Sequence, residues 1–153
     1  YICFDSGIST LYLISDRYGD YDIMQADLGG VTDFDTWLEG EAVSLVKTDS
    51  INSDYNDKCP FIRQNLMIFA SDRPGGLGGF DLYYSVYRND KWSSPVNMGP
   101  DINTEYNEYR PVTGSYPNFS NNYILFSSDR PGGKGGYDLY FMGIDLSLYT
   151  DED

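Results

Sequence analysis

The sequence predicts an all-β fold made of repeated, four-stranded antiparallel sheets. Three observations carry that expectation. One phrase recurs: LMIFASDRPGGLGGFDLYYS at 66–85, YILFSSDRPGGKGGYDLYFM at 123–142, and a shorter form, LYLISDRYGDYDIM, at 11–24. Its Ser-Asp-Arg triplets start at Ser15, Ser71 and Ser128, 56 and 57 residues apart, and self-similarity at such a period marks a repeat architecture. Aromatic residues make up 16% of the chain, mostly its 15 tyrosines, and these favour strands. Finally, no stretch sustains the i, i+3, i+4 pattern over a helical length.

Each repeat reads as the same succession of elements. A short apolar stretch opens it: Tyr1–Phe4, Pro60–Arg63, Arg110–Thr113. A stronger run follows: Thr10–Ser15, Leu66–Ser71, Tyr123–Ser128. Leu66–Ala70 is apolar at every position, as in a strand buried on both faces. After a turn comes an aromatic run: Tyr21–Leu28, Phe80–Tyr87, Tyr137–Ile144. In the second copy alternation puts Phe80, Leu82, Tyr84 and Val86 on one face and Asp81, Tyr83, Ser85 and Tyr87 on the other. A fourth segment starts at a tryptophan, Trp37 to about Val46 and Trp92–Asn97, where the indole packs at a sheet edge. The third repeat has only Leu146–Tyr149 for that role. Short strands bounded by Gly, Asn, Asp and Pro, four to a unit and covered on both faces, describe propeller blades, here approximately 1–47, 59–97 and 110–149.

Composition narrows the function. The net charge of −14 repels nucleic-acid backbones and anionic membrane surfaces, and no apolar run of spanning length exists. There is no histidine, hence no usual general base. Cys3 and Cys59 occupy one repeat position twice, each 12 residues before its triplet. They read either as a disulfide between repeats in an oxidising compartment or as two reduced, buried thiols. The chain opens on Tyr1, which reads as a piece of something longer.

The recurring polar residues read as architecture. Asp72-Arg73 and Asp81 bracket the Pro-Gly-Gly-x-Gly-Gly turn, as Asp129-Arg130 and Asp138 do in the next copy, with Asp16-Arg17 and Asp22 in the first. The glycines supply positive φ in a hairpin connection, since a phosphate loop would lead into a helix. A catalytic carboxylate pair is needed once, whereas this pair recurs. Between repeats, Asn52-Ser53-Asp54-Tyr55-Asn56-Asp57 aligns with Asn103-Thr104-Glu105-Tyr106-Asn107-Glu108. Asp101, Asn103 and Glu105 resemble the start of a calcium loop, but Tyr106 stands where glycine is required. Calcium is the minor reading, and no cofactor is the main one.

The turn, the Trp92-Ser-Ser-Pro-Val-Asn-Met-Gly-Pro segment and Ile102-Asn-Thr-Glu together resemble the WD-like β-propeller repeat of the TolB type. The closest variant is that of OmpA-family and related periplasmic proteins of Bacteroidetes-type bacteria. The resemblance spans nearly the whole chain and is weakest in the first repeat, where Tyr18-Gly19-Asp20 replaces the glycine-rich turn. It implies a non-enzymatic scaffold of the periplasm or cell surface that binds other envelope proteins. Glycan binding, or a glycoside hydrolase or lyase on a propeller scaffold, is the alternative.

Blade topology puts the glycine-rich turns and the inter-repeat links on one acidic, tyrosine-bearing surface. Tyr55, Glu105, Tyr106, Glu108 and Tyr109 are expected there, with Arg63 and Arg110 lining a central channel, as the partner-binding residues. Three repeats fall short of the roughly 4–8 blades of a propeller. Further blades in the same chain, a self-assembled ring of copies, or a partner covering an open arc would resolve the deficit.

Overall fold

The computed structural model describes residues 2–4, 9–29, 44–118 and 121–149. The fold is all-β with antiparallel sheets. The first contains β1 (Ile2–Phe4), β2 (Thr10–Ser15), β3 (Asp22–Asp27) and β4 (Val46–Lys47), paired in that order. The second contains β5 (Asp57–Arg63), β6 (Leu66–Ser71), β7 (Asp81–Arg88) and β8 (Lys91–Trp92), with β9 (Val96–Asn97) also on the edge of β7. The third contains β10 (Glu108–Ser115), β11 (Asn122–Ser128) and β12 (Asp138–Ile144). Register is shared: the triplet serine faces the repeated aspartate in each unit, Ser15 with Asp22, Ser71 with Asp81, Ser128 with Asp138.

The units differ from the sequence expectation at their ends. The opening strands of the second and third units start at Asp57 and Glu108, because the end of each link already pairs with the next strand, Asp57 with Ser71 and Glu108 with Ser128. The fourth segment of the second unit is two short strands separated by Ser93, Ser94 and Pro95, where the proline can donate no ladder bond. Leu146–Tyr149 is no strand but a 3-10 turn. Asp145 starts it by accepting bonds from the Ser147 backbone (3.0 Å) and hydroxyl (2.7 Å). Trp37 lies outside the described residues.

Packing follows the strand alternation. Met67, Phe69 and Tyr83 face the first unit and join Tyr12, Ile23, Ile51 and Trp92 in one core. Leu66, Ile68, Ala70, Leu82 and Val86 face the third unit and join Met98, Ile102, Ile124, Phe126 and Ile144 in another. The middle sheet is therefore covered on both sides, and β6 is buried from end to end. Trp92 packs into the first core, edge-on to Tyr12 at 6.2 Å between centroids.

Two bulges shape the opening strands. Pairing shifts between Lys58 and Phe61 on β5 and between Tyr109 and Val112 on β10. Cys59 (φ 54°) and Arg110 (φ 53°) stand in the left-handed region at equivalent positions of these bulges. Bulges re-aim side chains, and left-handed non-glycine residues store strain that concentrates at functional sites.

Candidate functional site: the linker face and its cavity

Each link is a clamp between neighbouring units. Asn103 accepts a bond from the Leu82 backbone N–H (2.7 Å) and returns one from its amide to the Leu82 carbonyl (2.9 Å). Asn52 grips Ile23 in the same way, at 2.7 and 2.9 Å. The link then runs on into the next strand, and the Asp57 and Glu108 backbone N–H groups donate to the carbonyls of Tyr21 and Phe80, both at 2.6 Å.

The triplet of the following unit holds the link from the other side. The Arg73 guanidinium pairs with the fully buried Asp57 at 2.6 Å and donates to the Ile51 carbonyl at 2.7 Å. Arg130 does the same with Glu108 at 3.0 Å and the Ile102 carbonyl at 2.7 Å. Ser71 and Ser128 accept from the arginine Nε at 2.9 and 3.1 Å and so fix its direction. Phe69 and Tyr83 flank the Arg73 guanidinium, and Phe126 and Tyr140 flank that of Arg130. Asp72 accepts from the Asn56 backbone and amide, and Asp129 from those of Asn107, all at 2.8 Å. These bonds hold the Asp129 carboxyl below its ordinary range, the Asn107 N–H contributing most.

The glycine-rich turn closes onto the link. Asp81 accepts from the backbone of Leu77 (2.6 Å) and Gly78 (3.0 Å), and Asp138 repeats this with Lys134 (2.8 Å) and Gly135 (3.1 Å). Of the glycines in these turns only Gly75 (φ 92°) and Gly132 (φ 101°) use positive φ. Gly78 and Gly79 serve close approach instead. A Cβ on Gly78 would overlap the carbonyl oxygens of Thr104 and Tyr106, and one on Gly79 would overlap the Asn107 side chain. The Gly79 N–H donates to the Tyr106 carbonyl at 2.9 Å. Turn and link thus share a surface, as the topology argument expects. The first unit has no such turn, and its Asp22 is paired with Lys47 at 2.6 Å. Asp16 and Arg17 are exposed.

The residues singled out for partner binding separate into four groups. Tyr55 and Glu105 are exposed on the link surface and Tyr106 is half-buried beside them. Glu108 is fully buried and belongs to the clamp, bonded to Arg130, Thr104 and Ser128. Arg63 and Arg110 do not share a site. Arg63 lies at the far end of β5, where it donates to Ser115 at 3.3 Å. The calcium set is also dispersed: Asn103 is buried and committed to Leu82 and Asn97, while Asp101 and Glu105 remain exposed. Among the described residues no three acidic or cysteine side chains are grouped to hold a metal ion.

Tyr109 and Arg110 instead border a cavity of about 390 Å³ reached by all three units. Ile14 and Tyr21 come from the first unit, Lys58 and Cys59 from the second, Ser127 and Tyr137 from the third. A row of rings and one cation runs beside it. Lys58 Nζ lies 4.2 Å from the Tyr21 centroid and 4.9 Å from that of Phe80. Phe80 packs on Tyr109 at 4.6 Å, and Tyr109 on Tyr137 at 5.8 Å. Burial pushes the hydroxyls of Tyr109 and Tyr137 up, and nearby carboxylates add to it. Burial likewise pushes the Cys59 thiol up, against the pull of Arg110. Cys59 and Cys3 are both free thiols.

Lys58, Tyr21 and Tyr137 were not singled out in the sequence. The available signal was positional: an aromatic residue precedes the repeated aspartate at 21, 80 and 137, and Lys58 and Tyr109 each follow the link carboxylate. Compared with known proteins, the chain matches no family model, and no curated protein matches it.

Proposed function

We propose that the chain is a segment of a TolB-type β-propeller that serves as a non-catalytic protein-interaction scaffold of the bacterial cell envelope, in the periplasm or at the cell surface. One observation carries this reading. The recurring carboxylates Asp57, Asp72, Asp81, Glu108, Asp129 and Asp138 are all tied to the backbone or side chains of their own or the adjoining unit. The polar motif is thereby spent on rigidity, and the exposed Tyr55 and Glu105 ride on that frame. Tyrosine set among polar groups on a rigid support suits protein recognition.

Further units of the same kind, from the same polypeptide or from other copies, complete the array in this reading. The support is the outer face of β12, where Leu139 is 73% and Phe141 64% exposed. Ile23 and Leu82, at the position of Leu139 in the other units, are fully buried.

Affinity capture from an envelope extract tests the function. The wild-type chain is expected to retain a defined partner that a Tyr55→Ala, Glu105→Lys double variant loses at unchanged melting temperature. Equal capture by both would refute it. Glycan binding is the second reading, favoured by a cavity of about 620 Å³ lined by Tyr12, Gln64, Asn65, Tyr87 and Trp92. A glycan array on which Tyr87→Ala abolishes a signal would support that reading over the first.

A further inference from the structure

The cavity shared by the three units carries two cations without a carboxylate partner. Three ion pairs occur among the described residues, made by Lys47, Arg73 and Arg130. Lys58 and Arg110 form none, yet both line the same cavity. The chain has only 10 basic residues against 24 acidic ones, so two cations outside any ion pair at one cavity are informative. The acids nearest the cavity are hydrogen-bonded or paired elsewhere: Asp72 with Asn56, Asp129 with Asn107 and the Tyr137 hydroxyl, Glu108 with Arg130.

The backbone adds a second, independent indication. Arg110 and Cys59 stand side by side at the cavity in left-handed conformation, each at a bulge. Such strain persists where surrounding structure enforces it. In the third unit its effect is to place a guanidinium, the side chain best suited to grip a planar carboxylate through two parallel bonds, on the rim of an aromatic cavity.

We propose that this cavity binds the free C-terminal carboxylate of a partner polypeptide, with Arg110 and Lys58 holding the carboxylate and Ile14, Tyr21, Tyr109 and Tyr137 covering the last side chain. The proposal rests on the protein-interaction reading and names the chemistry of its partner. The volume lies within the roughly 300–1,000 Å³ of ligand sites, with room for a terminal residue. Charge selects the same ligand. The field of a −14 chain turns away polyanions, while a single carboxylate meets two local cations.

Calorimetry on the full chain tests it with N-acetyl-Gly-Gly-Leu-Phe as free acid, the same peptide as C-terminal amide, and glucuronate. The acid is expected to bind at least about tenfold more tightly than the amide, a difference of about 1.4 kcal/mol. Arg110→Asn removes the charge while keeping a residue that tolerates the left-handed region. Lys58→Met keeps an apolar stem between Tyr21 and Phe80. Each is expected to weaken the acid about tenfold or more and to erase its advantage over the amide. Equal binding of acid and amide, no binding of the acid at millimolar concentration, or glucuronate binding as tightly as the acid would each overturn the proposal. Loss of the envelope partner in the Tyr55 and Glu105 variant, with no peptide binding, would leave the scaffold reading standing and remove this one alone.

Discussion

Removing the Asn103 amide should uncouple the second and third units. In Asn103→Ala the Leu82 N–H loses its Asn103 acceptor and the Leu82 carbonyl keeps only the Met98 N–H (3.0 Å), at a residue that is fully buried. A buried polar group left unsatisfied costs about 1–3 kcal/mol and the carbonyl's lost bond about 0.5–1.5 kcal/mol, so the two together cost about 1.5–4.5 kcal/mol. Against a stability of about 5–15 kcal/mol for an ordinary domain, that is a large fraction. Asn52→Ala is the internal control. Asn52 makes the same pair of bonds to Ile23 but is only half-buried, so water replaces part of what is lost. Its expected cost is about 1–2 kcal/mol. Urea unfolding followed by tryptophan fluorescence measures both, and amide exchange at Leu82 should accelerate in the first variant only. An Asn103→Ala cost below about 1 kcal/mol, or below that of Asn52→Ala, would refute the view that the links bind the units through these amides.

The glycines of the two long turns should respond unequally. Gly78→Ala drives a methyl into the Thr104 and Tyr106 carbonyls and should lower the melting temperature by several degrees, whereas Gly135→Ala meets nothing closer than 3.8 Å and should leave it unchanged. Asp57→Ala strands the Arg73 guanidinium and should cost about 3–5 kcal/mol in the same unfolding assay. The Asp129 carboxyl is held low by Asn107, so its contribution is present above the unfolded value near 4 and is lost as pH falls through the folded one. In Asn107→Ala, which removes the side-chain bond and leaves the stronger backbone N–H bond, its titration, followed by NMR, should move up only part of the way toward the unfolded value. Burial pushes the Cys3 thiol up to about 12, so the folded state keeps its proton where the unfolded chain releases it. Stability should therefore fall as pH rises from about 9 toward 12, and alkylation at pH 8 should be slow without denaturant.

The repeat made much of this fold legible. A phrase written three times acts as its own alignment: Ser15, Ser71 and Ser128 take one register, and the second and third runs fall within a residue or two of the observed strands. The fourth segments were less legible, because Pro95 and the Asp145 cap break or divert chains too short to impose a pattern. The site was legible only in part. Tyr109 and Arg110 were named, but Arg63 was assigned to the same channel because the sequence says which strand a residue is on and not how far along it the cavity lies. Four strand positions separate Arg63 from Cys59, the Arg110 equivalent, or roughly 13 Å at 3.3 Å per residue. Glu108 was taken for a surface acid because its exposed neighbour Glu105 has the same chemistry; burial, set by the link's return to the sheet, distinguishes them.

The two ends of the array differ in a way that gives it a direction. On the outer side of the first unit Leu11, Met24 and Ala26 are buried, with Phe4, Leu28 and Leu45 among their neighbours. On the outer side of the third unit Leu139 and Phe141 face solvent, and no Asn amide grips Leu139 among the described residues. Burying a leucine and a phenylalanine is worth about 1.5–3 kcal/mol each, and a link asparagine adds two bonds to an otherwise uncapped strand edge. On β12, Leu139 thus stands exposed at the position where Ile23 of β3 and Leu82 of β7 are buried, which is the face the proposed further unit would cover. Gly135 tells the same story from the turn. It sits where Gly78 makes way for the link, but a Cβ there would meet only the Tyr137 carbonyl, at 3.8 Å. The repeated glycine is explained by close packing at one turn and is unexplained by packing at the other, and the proposed addition of a further unit would be on the β12 side.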